Sequence, residues 1–103
     1  MILYTHGILP TEPIHLGDIL HVSAVTAANA AKDIRENIRN LTGGNMTHYE
    51  TLTDKAVARA FDLLKQHATE AGYDGVVGVT LSHPSVVSGG VEVVAYGNGF
   101  RYA

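Results

Sequence analysis

The chain has 103 residues, of which 46% are hydrophobic and 17% are charged, and it carries a formal net charge of −3 and no cysteine. This length predicts one domain, residues 1–103, with a single modest core. The acidic balance argues against a nucleic-acid partner, because phosphate binding requires a basic patch. The lack of cysteine excludes disulfides and thiolate metal sites and suits a cytoplasmic protein. We also expect no membrane partner, because no segment approaches the length of a membrane span.

The first quarter of the chain predicts two strands. Ile2 to Thr5 is a short strand, and Gly7 to Pro13, which holds two prolines, is a loop. Asp18 to Thr26 alternates in the manner of a half-buried strand. Its uniformly apolar face, which we expect to point to the core, consists of Leu20, Val22 and Ala24. Its mixed face consists of Ile19, His21, Ser23 and Val25.

From Ala27 the period of the apolar residues changes and predicts two helices. The first runs from Ala27 to Leu41, with a polar remainder that includes Asp33, Arg35 and Arg39. That polar face either meets solvent, faces an anion or pairs with a neighbouring chain. A turn at Gly43-Gly44 follows. The second helix is expected from about Thr47 to Ala71, with Thr47 and Glu50 as a capping box and Gly72 closing its end. Its predicted inward stripe consists of Leu52, Ala56, Ala60, Leu63, Leu64, His67 and Ala71.

The last third predicts a hairpin. Val76 to Leu81 and Val91 to Ala95 are strands joined around Ser85 to Gly90, and Asn98-Gly99 is a turn before a short strand ending at Tyr102. Both hairpin strands are apolar on two faces, so both faces need cover. One helical layer covers one face, and we expect a neighbouring subunit to cover the other. The low charged fraction agrees, because about a quarter is usual for small soluble domains.

Six histidines suggest metal binding, but their spacing does not build a site. No two are three, four or five residues apart, so any site must be assembled by the fold or by symmetry. His48 with Glu50 is the candidate pair, because a helix N-terminus keeps an imidazole neutral and able to ligate. Zinc or nickel suits this mixture of nitrogen and oxygen better than a soft ion. The alternative is that Glu50 is used by the cap and His48 points to solvent.

Catalytic patterns are absent from the sequence, and we expect a protein that is not an enzyme. There is no cysteine nucleophile and no Gly-x-Ser-x-Gly elbow. The glycine-rich segment Gly72 to Gly78 follows a helix and precedes a strand, which is the reverse of a phosphate loop. Its glycines Gly75 and Gly78 are better explained by close packing.

Several segments resemble the YbjQ-like family of small bacterial proteins, which carries a heavy-metal-binding label. The matching residues are, in chain order, Asp33, Ile38-Arg39, Gly43-Gly44, Tyr49-Glu50, Ala56, Ala60, Leu64, Ala68 and Gly72-Tyr73-Asp74-Gly75-Val76-Val77-Gly78-Val79. The resemblance spans essentially the whole chain and is strongest from Asp33 to Val79.

The predicted elements follow in the order β-β-α-α-β-β, which is an α+β arrangement because no strand–helix alternation demands a parallel sheet. The resemblance implies a dodecin-like subunit of this class, with an antiparallel sheet packed against helices. It also implies a ring, a homopentamer. Three functions follow as hypotheses: a metal-binding ring that uses a divalent ion, a small-molecule or cofactor carrier with pockets between subunits, and a purely structural ring. The residues of a cofactor site stay undefined by this resemblance.

Overall fold

The computed structural model of the chain describes residues 1–27, 45–83 and 90–103. These ranges contain five elements, which are β1 (Ile2–Thr5), β2 (Ile14–Ala27), α1 (Asn45–Glu70), β3 (Gly75–Ser82) and β4 (Gly90–Tyr102). Most of the predicted first helix and the Gly43-Gly44 turn lie outside the described residues, as does the hairpin turn at 84–89. Ala27, predicted to begin that helix, instead ends β2.

The four strands form one mixed sheet in the order β1-β3-β4-β2. The pairs β3–β4 and β4–β2 are antiparallel, as expected for a hairpin and its neighbour. The prediction of a wholly antiparallel sheet is wrong, because β1 runs parallel to β3. The chain between β1 and β3 contains β2 and α1, which is long enough to cross over and return in the same direction. The fold is α+β.

The two longest strands extend beyond their predicted ends. β2 begins at Ile14 rather than Asp18, and β4 runs through Asn98-Gly99, which is therefore no turn. Asn98 is paired with Ile19 on one side and with Val77 on the other. A local turn signal gives way here because β4 lies between two strands that satisfy its backbone groups.

Helix α1 lies across one face of the sheet and supplies a regular stripe of buried residues. They recur every fourth position as Leu52, Ala56, Ala60, Leu64 and Ala68, each at most 5% exposed. Small alanine side chains let the helix approach the sheet closely, where they meet β2 and β4 residues such as Leu20, Ala24, Val91 and Val93. The predicted inward face of β2 is confirmed by Leu20 and Ala24, with Val22 partly buried beside them.

The start of α1 differs from the prediction by two residues. The helix begins at Asn45, so Thr47 is a helical residue and is not the N-cap of a capping box. Gly72 closes the helix, as predicted, with a positive φ of 82°. The predicted inward stripe is partly wrong, since His67 and Ala71 are exposed whereas Ala68 is fully buried.

Tyr73 joins the end of α1 to the sheet. Its buried ring lies against Gly17 of β2 and Gly99 of β4, and the guanidinium of Arg101 stacks over it at 4.5 Å from the ring centroid. Its hydroxyl accepts a 2.8 Å hydrogen bond from the amide of Asp18. That amide belongs to an irregular step of β2 between Leu16 and Ile19, where the ladder leaves backbone groups without a strand partner.

Candidate functional site

The sheet face turned away from α1 is a candidate interaction surface. We define the open sheet face as the outward side chains of the β2–β4 ribbon, where Ile19, His21, Ser23 and Val25 stand opposite Asn98, Tyr96, Val94 and Glu92. These pairs point the same way, because directly opposed residues of an antiparallel ladder share a face. The mixed face predicted for β2 is thus one half of a broader surface.

Several large apolar side chains of this face are exposed. Ile19 is 71% exposed, Val25 50% and Tyr96 41%, and Leu16 at the start of the ribbon is 66% exposed. Glu92 is the only Asp, Glu, Lys or Arg among the eight residues of the face. Exposed large apolar side chains that share one face with few charges favour a protein–protein contact.

Aromatic rings cover one end of the sheet face that is turned away from α1. Phe100 is fully buried, although it belongs to this side of the sheet, because Tyr4 lies 6.0 Å and Tyr102 5.4 Å from it between ring centroids. Desolvation, followed by the nearby Tyr4 and Glu12, raises the pKa of Tyr102 above its usual 10.0. Tyr102 therefore stays a neutral phenol at physiological pH, which suits packing and not proton abstraction.

The predicted metal residues lie in the first turns of α1. His48 is helical, but its side chain lies outside the described part, and Glu50 is exposed. Positions two apart in a helix lie on different faces, and His48 with Glu50 as metal ligands stays a prediction. Within residues 1–27, 45–83 and 90–103 no group of three or more metal-ligating His, Cys, Asp or Glu side chains occurs.

Among the other histidines, His83 has a fixed ring orientation. Its Nδ1 lies 2.8 Å from the carbonyl oxygen of Glu92 and donates to it, which leaves Nε2 as the accepting nitrogen. His21 lies on the open sheet face opposite Tyr96, and His67 lies on α1. These three exposed imidazoles stand on different elements. The cationic candidates Arg35 and Arg39, with Asp33, fall outside the described residues.

Two cavities flank α1, and sequence reasoning found neither. One, of about 390 Å³, lies between α1 and the edge strand β1 and has Phe61 and Lys65 in its wall. The other, of about 340 Å³, lies between α1 and β2 and is lined by Val22, Ser23, Leu63, Gln66, His67 and Glu70. Their residues come from elements far apart in the chain, so no local spacing signals them.

In the described ranges, α1 is not apolar enough to cross a membrane.

The chain is similar to the members of one known protein family. A family model described as "Putative heavy-metal-binding", the YbjQ family, matches residues 1–102. A UPF0145 protein from Halobacterium salinarum is 38% identical over 81 residues, 79% of this chain and 78% of that protein. A UPF0145 protein from Halorubrum lacusprofundi is 32% identical over 97 residues, 94% of this chain and 93% of that protein.

A solved structure is similar over the whole chain. The crystal structure of a protein of unknown function from Pediococcus pentosaceus, of the DUF74 family, has a TM-score of 0.67 and 21% sequence identity. The match covers 100% of this chain and 98% of that protein. At this identity the likeness shows a shared fold. None of these relatives carries the name of a catalysed reaction.

Proposed function

Since this chain belongs to the YbjQ family, we propose that it is the subunit of a non-enzymatic, homo-oligomeric binding protein whose copies meet through the open sheet face. The observation that carries the proposal is the exposure of Ile19, Val25 and Tyr96 on one continuous side of the β2–β4 ribbon. Burying such side chains gains roughly 25 cal/mol per Å² of apolar surface. In a ring, this face meets a different surface of the neighbouring copy, because a face that meets itself closes as a dimer. Few charges on the open sheet face need to be desolvated in such a contact.

The shape of the subunit supports the same conclusion. Its radius of gyration is 16.4 Å and its extents are 53 × 23 × 18 Å. A compact domain of 100 residues has a radius of about 13 Å. The elongation comes from strands of 14 and 13 residues that extend as a ribbon. Such a ribbon exposes one whole face unless another chain packs on it, because sheets stack face to face.

The proposed assembly is a ring of five, as the family resemblance implies, in the cytoplasm and without a nucleic-acid or membrane partner. Light scattering after size-exclusion chromatography should give a mass near five times the subunit mass of 11.0 kDa. A clean monomer at micromolar concentration would refute the assembly, and a different closed number would refute only the pentamer.

Metal binding belongs to the proposal with His48 and Glu50 as ligands. Because positions 48 and 50 do not share a helix face, each ion would be completed by residues of neighbouring copies. Calorimetry with zinc and chelator-treated protein should show binding that depends on assembly and that His48→Ala abolishes. Lys55→Met, on the same helix, is a control expected to leave zinc binding unchanged. Binding that survives His48→Ala removes His48 from the site.

A further inference from the structure

The cavity between β1 and α1 is a consequence of how the helix lies on the sheet. Helix α1 packs mainly over β2 and β4, and it leaves the helix-facing side of the β1 edge uncovered. The uncovered corner forms the open cavity of about 390 Å³. This volume falls in the range of sites that hold small ligands, roughly 300–1,000 Å³.

The walls of this cavity are mostly apolar. Its described lining consists of Met1, Ile2, Leu3, Thr5, Phe61, Lys65 and Val79. Lys65 carries the only charged side chain of that set. It follows Phe61 by four positions, so the aromatic ring and the lysine stem lie side by side on the helix surface. No hydrogen bond or ion pair joins the Lys65 ammonium to another described residue.

The edge of the sheet adds polar groups beside this apolar surface. β1 pairs only with β3, so one row of its backbone amides and carbonyls has no strand partner among the described residues. A ligand in the cavity thus meets a mostly apolar wall, the Lys65 ammonium and a few backbone hydrogen-bonding groups. Sites that fix an apolar ligand by a small number of polar groups have this composition.

We propose that this cavity binds an amphipathic monocarboxylate, such as a medium-chain fatty acid. The hydrocarbon lies against Leu3, Phe61 and Val79, and the carboxylate accepts a charge-assisted hydrogen bond from Lys65. The largely apolar lining suits a hydrocarbon chain, which a phosphate ion does not have. The proposal deepens the binding role proposed above and rests on it, but it uses residues that are separate from the open sheet face.

The test uses the full chain and sodium octanoate. Isothermal titration calorimetry should show saturable binding of one octanoate per subunit, with a dissociation constant below roughly 10 mM. Lys65→Met keeps the apolar stem and removes the charge, and it should weaken octanoate binding by about tenfold or more, since hydrogen bonds to charged groups are strong. Lys55→Met is the matched control, because Lys55 is exposed on the same helix and does not line the cavity.

A ligand control and a map of the site complete the experiment. Octanol, which has the same chain length without the charge, should bind the parent and Lys65→Met equally. Amide NMR shifts on octanoate addition should centre on β1 and on Phe61 to Lys65. The proposal is overturned if octanoate binding does not saturate, if Lys65→Met binds octanoate as tightly as the parent, or if the amide NMR shifts centre on other residues. Light scattering on the same samples reports the assembly separately, and zinc calorimetry reports metal binding, so failure of this site is distinguishable from failure of the proposed function.

Discussion

At the scale of single residues, close approach explains why glycines occupy the strands. A Cβ at Gly75 would lie 2.9 Å from the carbonyl oxygen of Ile2 and would overlap the ring of Phe100, so the prediction of close packing is confirmed there. Gly78 is different, because nothing lies within 4 Å of its Cβ position and its φ is 66°. Packing against the helix is wrong for Gly78, whereas packing against a neighbouring subunit, the other explanation, stays a prediction. Gly78 sits in the irregular step of β3 between Val77 and Thr80, where glycine supplies left-handed backbone.

The contact between Gly99 and Tyr73 yields a sharp residue-scale prediction. A methyl group at position 99 would overlap the Tyr73 ring, and the ring cannot retreat without losing its bond from Asp18. Gly99→Ala should lower the free energy of unfolding by about 1–3 kcal/mol, as overpacking does. Denaturant unfolding measures this. In a Tyr73→Ala background the same substitution should cost little, because the clash is gone; additive effects in the double variant would contradict the argument.

At the scale of elements, the end of α1 is fixed by a Schellman motif. The amide of Tyr73 donates to the carbonyl of Ala68, and the amide of Gly72 donates to that of Thr69, each at 3.0 Å. This pair of bonds requires left-handed backbone at Gly72. Arg101 adds bonds from its guanidinium to the carbonyls of Gly72 and Ala71, at 3.1 and 3.2 Å. The helix end is therefore tied to β4 as well as capped.

Substitution at Gly72 tests this element directly. Space is available, since the nearest atom to a Cβ there is the Nη2 of Arg101 at 3.7 Å. Gly72→Ala should therefore cost about 1–2 kcal/mol through backbone strain alone. Gly72→Asn is the matched variant and should cost less, because asparagine tolerates the left-handed region. Equal denaturant midpoints for the parent and both variants would show that the motif does not limit stability.

At the scale of the whole molecule, the described residues cover the sheet on one face and leave it open on the other. α1 covers β2 and β4 from one side, and the aromatic group around Phe100 closes only one end of the opposite side. Edge strand β2 also presents 14 residues without proline or lysine. Long uncovered edges and apolar faces promote association. The open face and the long edge strand therefore support the homo-oligomer proposed above.

Two matched substitutions test whether copies meet through the open sheet face or through any exposed apolar residue. Ile19→Lys places a charge in the proposed contact and should shift the light-scattering mass toward the monomer. Ile8→Lys makes the same change at a residue that is 57% exposed but lies in the loop between β1 and β2. It should leave the mass unchanged, because that loop does not belong to the face. Dissociation by both variants, or by neither, would contradict this contact surface.

Local pattern by itself determined much of the subunit. Ile2 to Thr5, the inward side of β2 at Leu20 and Ala24, the helix ending at Gly72 and the β3–β4 hairpin all follow from period and capping. These features are readable because they depend on residues a few positions apart. The family is likewise readable from motifs in chain order. His48 and Glu50 as metal ligands stay a prediction.

Tertiary structure alone decided which strands pair and what their partners require. The parallel pairing of β1 with β3 and the extension of β4 through Asn98-Gly99 depend on strands distant in sequence. The Tyr73 contacts and the cavity beside Lys65 also bring together residues from separate elements. Such arrangements are set by long-range burial and by the need to satisfy every backbone group, and both outweigh a local turn or strand preference.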